Sequence, residues 1–218
     1  MGLGSQLLLG FVLIISASVT YAGDMGLGQG RLFLGSTTAD PKELNTELTT
    51  QGIKNVKLNN HFGIEITFPT FQYLQLGLRY TYNLISQDED PSNSATDYTA
   101  GLTQQSMMGI ARVPFFKSDY VKADVFAGVG VATTTYKIKT AGQDGTLEKS
   151  ATPNMAAGAS VAFGYSKYFF FMEGGYESNK INDFKSSGNI NGNVTAIDLS
   201  GSYLLIGFMF DGIPIFSK

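Results

Sequence analysis

The chain carries one histidine and no cysteine, so the chemistry open to it is narrow. With His61 as the single imidazole, one chain cannot assemble a multi-histidine metal site. The lack of Cys removes thiolate ligands, disulfides and a cysteine nucleophile. A Ser-His-carboxylate centre would need His61, within Asn59-Asn60-His61-Phe62-Gly63, at hydrogen-bond reach of a hydroxyl on a rim or membrane-facing surface. The residue alternation around it turns His61 inward instead, so no catalytic residue, metal ligand or cofactor is assigned. Gly26-Leu27-Gly28-Gln29-Gly30 has a superficial likeness to a phosphate loop, but no strand-to-helix transition follows it. Close strand packing is the better account of those glycines. What remains is a set of charged side chains on segments of two-residue periodicity: Arg31, Glu65, Arg79, Arg112, Lys122, Asp124, Glu173, Glu177 and Asp198. Four are positive and five negative, a balance that suits mutual pairing in a buried network or, alternatively, a ring that selects ions or small solutes.

The composition says what kind of element must hold them. Charged residues are 15% of the chain, well below the roughly 25% of soluble domains, while 43% is apolar. Part of the surface is therefore expected to face something other than water. The formal charge of -3 gives no electrostatic footprint for nucleic acid. The longest apolar run, Leu7 to Ile15, is too short for a membrane-spanning helix and is followed by small residues up to Thr20-Tyr21-Ala22. Residues 1–22 are read as a secretory signal peptide, leaving 23–218 as one domain.

Beyond residue 22 no helical period is sustained, whereas alternation is widespread. Leu74, Leu76, Leu78, Tyr80, Tyr82 and Leu84 share one face, opposite Gln75, Gly77, Arg79, Thr81 and Asn83. Val121, Ala123, Val125, Ala127, Val129 and Val131 likewise oppose Lys122, Asp124, Phe126, Gly128 and Gly130. Eight such segments are expected, near 27–37, 57–68, 72–85, 98–113, 120–137, 153–165, 168–180 and 194–210. Their connections alternate between short (69–72, 114–119, 166–167) and long, polar ones (38–56, 86–97, 138–152, 181–193), with room for a short helix near 42–52. An even strand count with alternating loop lengths is the pattern of an all-β, eight-stranded antiparallel up-and-down transmembrane β-barrel.

Aromatic residues test that arrangement independently, because an interfacial girdle gathers at one end of such a barrel. Phe68, Phe71 and Tyr73 flank the first short turn, Phe115, Phe116 and Tyr120 the second, and Tyr165, Tyr168 and Phe170 the third. Phe208 and Phe210 return to the same end in an eight-stranded meander. A β-sandwich has no reason to place aromatics at every second turn.

With these features the mature chain resembles small bacterial outer-membrane barrel proteins, the class of OmpX, OmpW and the OmpA transmembrane domain. The segments that carry the resemblance are Tyr120 to Val131 and the aromatic strand Tyr203-Leu204-Leu205-Ile206-Gly207-Phe208-Met209-Phe210. It implies an outer-membrane location, lipid as the immediate surroundings, the barrel-assembly machinery as a partner in biogenesis, and a monomer. Such proteins usually end on an aromatic residue, but here Asp211 to Lys218 follow Phe210, so which of the C-terminal aromatics Phe208, Phe210 and Phe216 is the assembly signal stays open. Enzymes on this fold include lipid A deacylases, whose His-x-Ser-Asn pattern this chain lacks.

An eight-stranded barrel has room inside for side chains and little more. Arg112 is expected opposite Lys122 or Asp124, and Arg79 near His61. Pairing Tyr165 with Tyr168 across Ser166-Lys167 would set Gly164 against Phe169, Ala162 against Phe171, Ser160 against Glu173 and Ala156 against Glu177. Large residues then meet small ones, and Phe169 and Phe171 block the lumen. Two functions remain open at this point: a non-enzymatic barrel serving envelope integrity or binding a surface ligand through its long loops, and a narrow conduit for ions or small hydrophobic molecules, as likeness to OmpW implies.

Overall fold

A computed structural model describes residues 28–50, 55–71, 73–87, 99–140, 143–182, 185–188 and 196–213. The expected signal peptide, and Phe216 as an assembly signal, lie outside them. In chain order the elements are β1 (Gly28–Thr37), α1 (Lys42–Thr50), β2 (Val56–Phe71), β3 (Leu74–Gln87), β4 (Thr99–Lys117), β5 (Val121–Thr140), β6 (Gln143–Tyr165), β7 (Tyr168–Ser178), β8 (Lys180–Asn182), β9 (Lys185–Gly188), β10 (Ala196–Asp198) and β11 (Gly201–Ile213). Strands β1 to β7 and β11 form a ring in which each pairs antiparallel with its sequence neighbours, and β11 closes it against β1 from Gly28↔Ile213 to Thr37↔Tyr203. This is a closed eight-stranded up-and-down barrel, an architecture that leaves no wall strand with an unpaired edge.

The two-residue period sets the faces. On β5, Val125, Val129 and Val131 are exposed on the outer wall, while Asp124, Phe126 and Gly128 are buried in the lumen. The outward apolar series from Val121 to Val131 rises roughly 25 Å for a tilted strand, the height of a bilayer's apolar band, and then gives way to Thr133, Thr135 and Lys137. The aromatic residues Phe71, Tyr73, Phe115, Phe116, Tyr120, Tyr165 and Tyr168 are all exposed at the end with the short turns. Phe68, Phe170, Phe208 and Phe210 also face outward near that end, with Phe170 edge-on to Phe208 and Tyr168 edge-on to Phe210. Girdle rings thus pack edge to face across neighbouring strands.

Several connections differ from the sequence reading. Residues 138–152, expected as a loop, are largely strand, because β5 and β6 continue their hairpin well beyond the apolar band. β4 runs through Phe115 to Lys117 by way of a register shift at Pro114–Phe116. Proline cannot donate to the ladder, and a bulge accommodates it. The expected last strand, 194–210, splits into β10, which pairs with β8 outside the ring, and the barrel strand β11. α1 packs against β10, and Leu44, Ile197 and Leu199 are buried there. At the Ser166-Lys167 turn Ser166 has φ 60°, and β6 pairs with β7 in the expected register from Tyr165↔Tyr168 to Ala156↔Glu177.

Candidate functional site

The inward positions of the strands converge on a charged cluster halfway along the lumen. β1 supplies Arg31, β2 Glu65, β3 Arg79, β4 Arg112, β5 Asp124 and β7 Glu173, and all six are buried. Arg112 is the hub: its Nε lies 2.5 Å from Glu65 Oε1, its Nη1 2.5 Å from Asp124 Oδ1 and its Nη2 2.6 Å from Glu173 Oε2. Arg79 bridges Glu65 (2.6 Å) and Glu173 (2.8 Å), and Arg31 donates to Asp124 at 2.7 Å. The last two strands join through hydroxyls. Ser160 of β6 accepts from Arg31 at 3.0 Å, and Tyr203 of β11 donates to Glu173 at 3.3 Å. Every wall strand therefore contributes one side chain to a cluster of three guanidinium groups and three carboxylates, which is formally neutral. Planar guanidinium forks suit this task, since each satisfies several carboxylate oxygens at once.

Aromatic rings fill the space between the charges. The Phe126 ring lies 4.9 Å from the Arg79 guanidinium and 4.6 Å from that of Arg112, while Phe33 contacts Arg79 at 5.0 Å and Phe171 contacts Arg31 at 5.2 Å. These contacts hold the cations against ring faces where no water is needed to solvate them. Small residues make the room: a Cβ added to Gly207 would come within 2.9 Å of the Phe171 ring. Met108, Ile110, Leu205 and Met209 complete a buried apolar filling.

The remaining inward charges do not join this cluster. Lys122 pairs with Asp211 and lies over the Phe169 ring near the short-turn end. Glu177, towards the opposite end, accepts from Asn154 Nδ2 at 2.7 Å. Asp198 is corrected outright: it is exposed on β10, where it pairs in register with Lys180 and accepts from the Ser200 amide, because the chain enters the barrel wall only at Gly201. The expected strand neighbour of Arg112 is also revised, since it faces Phe126 and reaches Asp124 diagonally. Arg79 faces Glu65, and His61 sits two inward steps away opposite Asn83. The sequence reading set Ser160 inward against Glu173 without its bond to Arg31, and it missed Tyr203 and Gln29, which accepts from Arg31. Tyr203 lies on a strand apolar on both faces, where alternation has no polar side to reveal.

His61 is buried between the rings of Phe33 (6.0 Å) and Tyr203 (5.7 Å). Neither of its nitrogens has a hydrogen-bond partner among the described residues. It therefore lacks both the nucleophile and the orienting carboxylate that a catalytic triad requires.

No family model matches the chain, and no curated protein matches it in sequence. Among solved structures, Neisserial surface protein A is similar over 84% of this chain and 96% of its own, with a TM-score of 0.52 at 12% identity. A major outer membrane protein from Thermus thermophilus is similar over 84% of this chain and 98% of its own, with a TM-score of 0.50 at 10% identity. At such identities the likeness is one of fold: the chain has the architecture of small outer-membrane β-barrels.

Proposed function

We propose that the protein is a non-enzymatic, non-conducting barrel of a bacterial outer membrane, monomeric in the bilayer, that serves envelope integrity or surface contact. The observation that carries this reading is the neutral cluster in which all eight wall strands meet, packed with Phe33, Phe126 and Phe171. Three cations and three anions bound to one another neutralise this level of the lumen, and buried aromatic rings fill space beside them. These contents weigh against the conduit reading. Contacts with a ligand outside the cell would then fall to the polar structures beyond the apolar band: the raised β5–β6 hairpin, α1, and the β8–β10 pair.

Conductance of the refolded protein in a planar lipid bilayer tests the reading, with Arg79→Ala and Glu173→Ala measured alongside. Silence from all three folded proteins is the expected result. Discrete openings of the unaltered protein that change in either variant would make the lumen a transport path.

A further inference from the structure

The β6–β7 ladder ends at Met155↔Ser178, and beside that end three oxygen-bearing side chains are buried together: Asn154 and Asn179, each 1% exposed, and Glu177, 6% exposed. Hydrogen bonds fix which end of each amide is which. Asn154 presents its Nδ2 to Glu177 Oε1 at 2.7 Å, and Asn179 presents its Nδ2 to the Pro153 carbonyl at 3.3 Å. A carboxylate and a carbonyl can only accept, so both amide oxygens are turned away from these bonds. Neither oxygen has a hydrogen-bond partner among the described residues. A buried acceptor without a donor is costly. Glu177 also lacks a countercharge: Arg79, whose field reaches it, is committed to Glu65 and Glu173, and its one donor among the described residues is the neutral Asn154. The central cluster is neutral without Glu177, which leaves this carboxylate a buried anion with nothing among the described residues to balance it.

Water could donate to the two amide oxygens but would bring no charge to Glu177. A hard cation answers both needs at once, since it takes carboxylate and amide oxygens as ligands. We propose that Glu177, Asn154 and Asn179 bind a calcium ion at the long-loop end of the barrel. Calcium accepts neutral carbonyl oxygens in flexible geometry with waters completing its shell, whereas magnesium demands a near-ideal octahedron. With one charged ligand of three, the affinity belongs with that of extracellular calcium modules, about 10⁻⁴–10⁻³ M. Asn179 also gives the ion a structural consequence. Its backbone N–H donates to Ser200 Oγ and its carbonyl accepts from the Leu199 amide, so an ion held here fastens the segment after β10 to wall strands β6 and β7. Binding is independent of whether the lumen conducts.

The test uses the full mature chain refolded in a neutral maltoside detergent, with backbone and side-chain amide shifts followed by NMR during separate titrations with calcium chloride, magnesium chloride and, at matched ionic strength, sodium chloride. Saturable shifts centred on Asn154, Glu177 and Asn179 with calcium are expected, weakened about tenfold or more in Glu177→Gln, which keeps the side chain's size and its acceptor for Asn154. Asn179→Asp adds a charged ligand and should tighten calcium binding about tenfold, an outcome that a merely structural asparagine would not give. Asp198→Ala removes an exposed carboxylate from β10 and should bind calcium unchanged. Equal affinity for magnesium would overturn the choice of calcium, and an equal response to sodium chloride would reduce the effect to screening. Shifts that never saturate with calcium, or a folded Glu177→Gln variant that binds normally, would remove the site altogether. If Glu177→Gln does not fold, Asn179→Asp decides: unchanged or weaker calcium binding in that folded variant overturns the ligand assignment.

Discussion

Arg112 illustrates how much one side chain can organise in a medium without water. It binds carboxylates from three different strands, so its loss would strand Glu65, Asp124 and Glu173 with less positive charge than they were folded around. Removing one member of a buried ionic network costs about 3–5 kcal/mol, whereas deleting a single hydrogen bond costs about 1 kcal/mol. Arg112→Ala is therefore expected to lower the unfolding free energy of the refolded barrel by about 3–5 kcal/mol. Tyr203→Phe, which removes one donor to Glu173, should lower it by about 1 kcal/mol. Asp198→Ala, outside the barrel, should leave the urea midpoint in place. Three equal midpoints would mean that the cluster does not stiffen the wall. The identities of the charged members were legible in the sequence, because an Arg or Glu in an alternating segment needs an inward partner. Their pairing was not, since the guanidinium groups reach across the lumen between strands far apart in the chain.

At the scale of a strand, each residue's environment follows from its parity. β5 places Val125 against lipid and Asp124 against Arg31 and Arg112, one residue apart along the same chain. Val125→Asp is expected to impair insertion into lipid vesicles more than Asp124→Val does, because a carboxylate on the outer face meets hydrocarbon with no partner to offset its desolvation. The fraction inserted can be read from protease protection, and equal losses in the two variants would contradict the assignment of faces. Strand ends were less legible than strand faces. The prolines at 69 and 114 read as turn residues, yet bulges keep both within strands. Residues 143–152 read as loop because polar residues on both faces erase the alternation, while the ladder to β5 still forms above the membrane.

For the whole molecule, closure is the step that turns eight marginal strands into one stable object. Gly28 and Ile213 are ladder partners, so the described ends of the wall lie side by side. A circular permutant joining residues 28 and 213 through a short Gly/Ser linker and opened within 88–98 is expected to form the same barrel. Its signature would be the faster gel migration of the unboiled protein that closed barrels show. A permutant that migrates as unfolded chain under conditions where the parent refolds would count against closure through β1 and β11.

By itself the sequence determined the class of fold, the strand count, the inner and outer faces and the β6–β7 register, because all of these follow from a two-residue period, from side-chain size and from the chemistry of an apolar solvent. Of the nine charged residues it placed inward, eight point inward. Only the tertiary structure decided that six of them meet in one neutral cluster, that Ser160 and Tyr203 complete it, and that Asp198 stands outside. The physical reason is that barrel stagger and diameter bring side chains together across the lumen, and neither quantity is written in the local spacing of residues along any one strand.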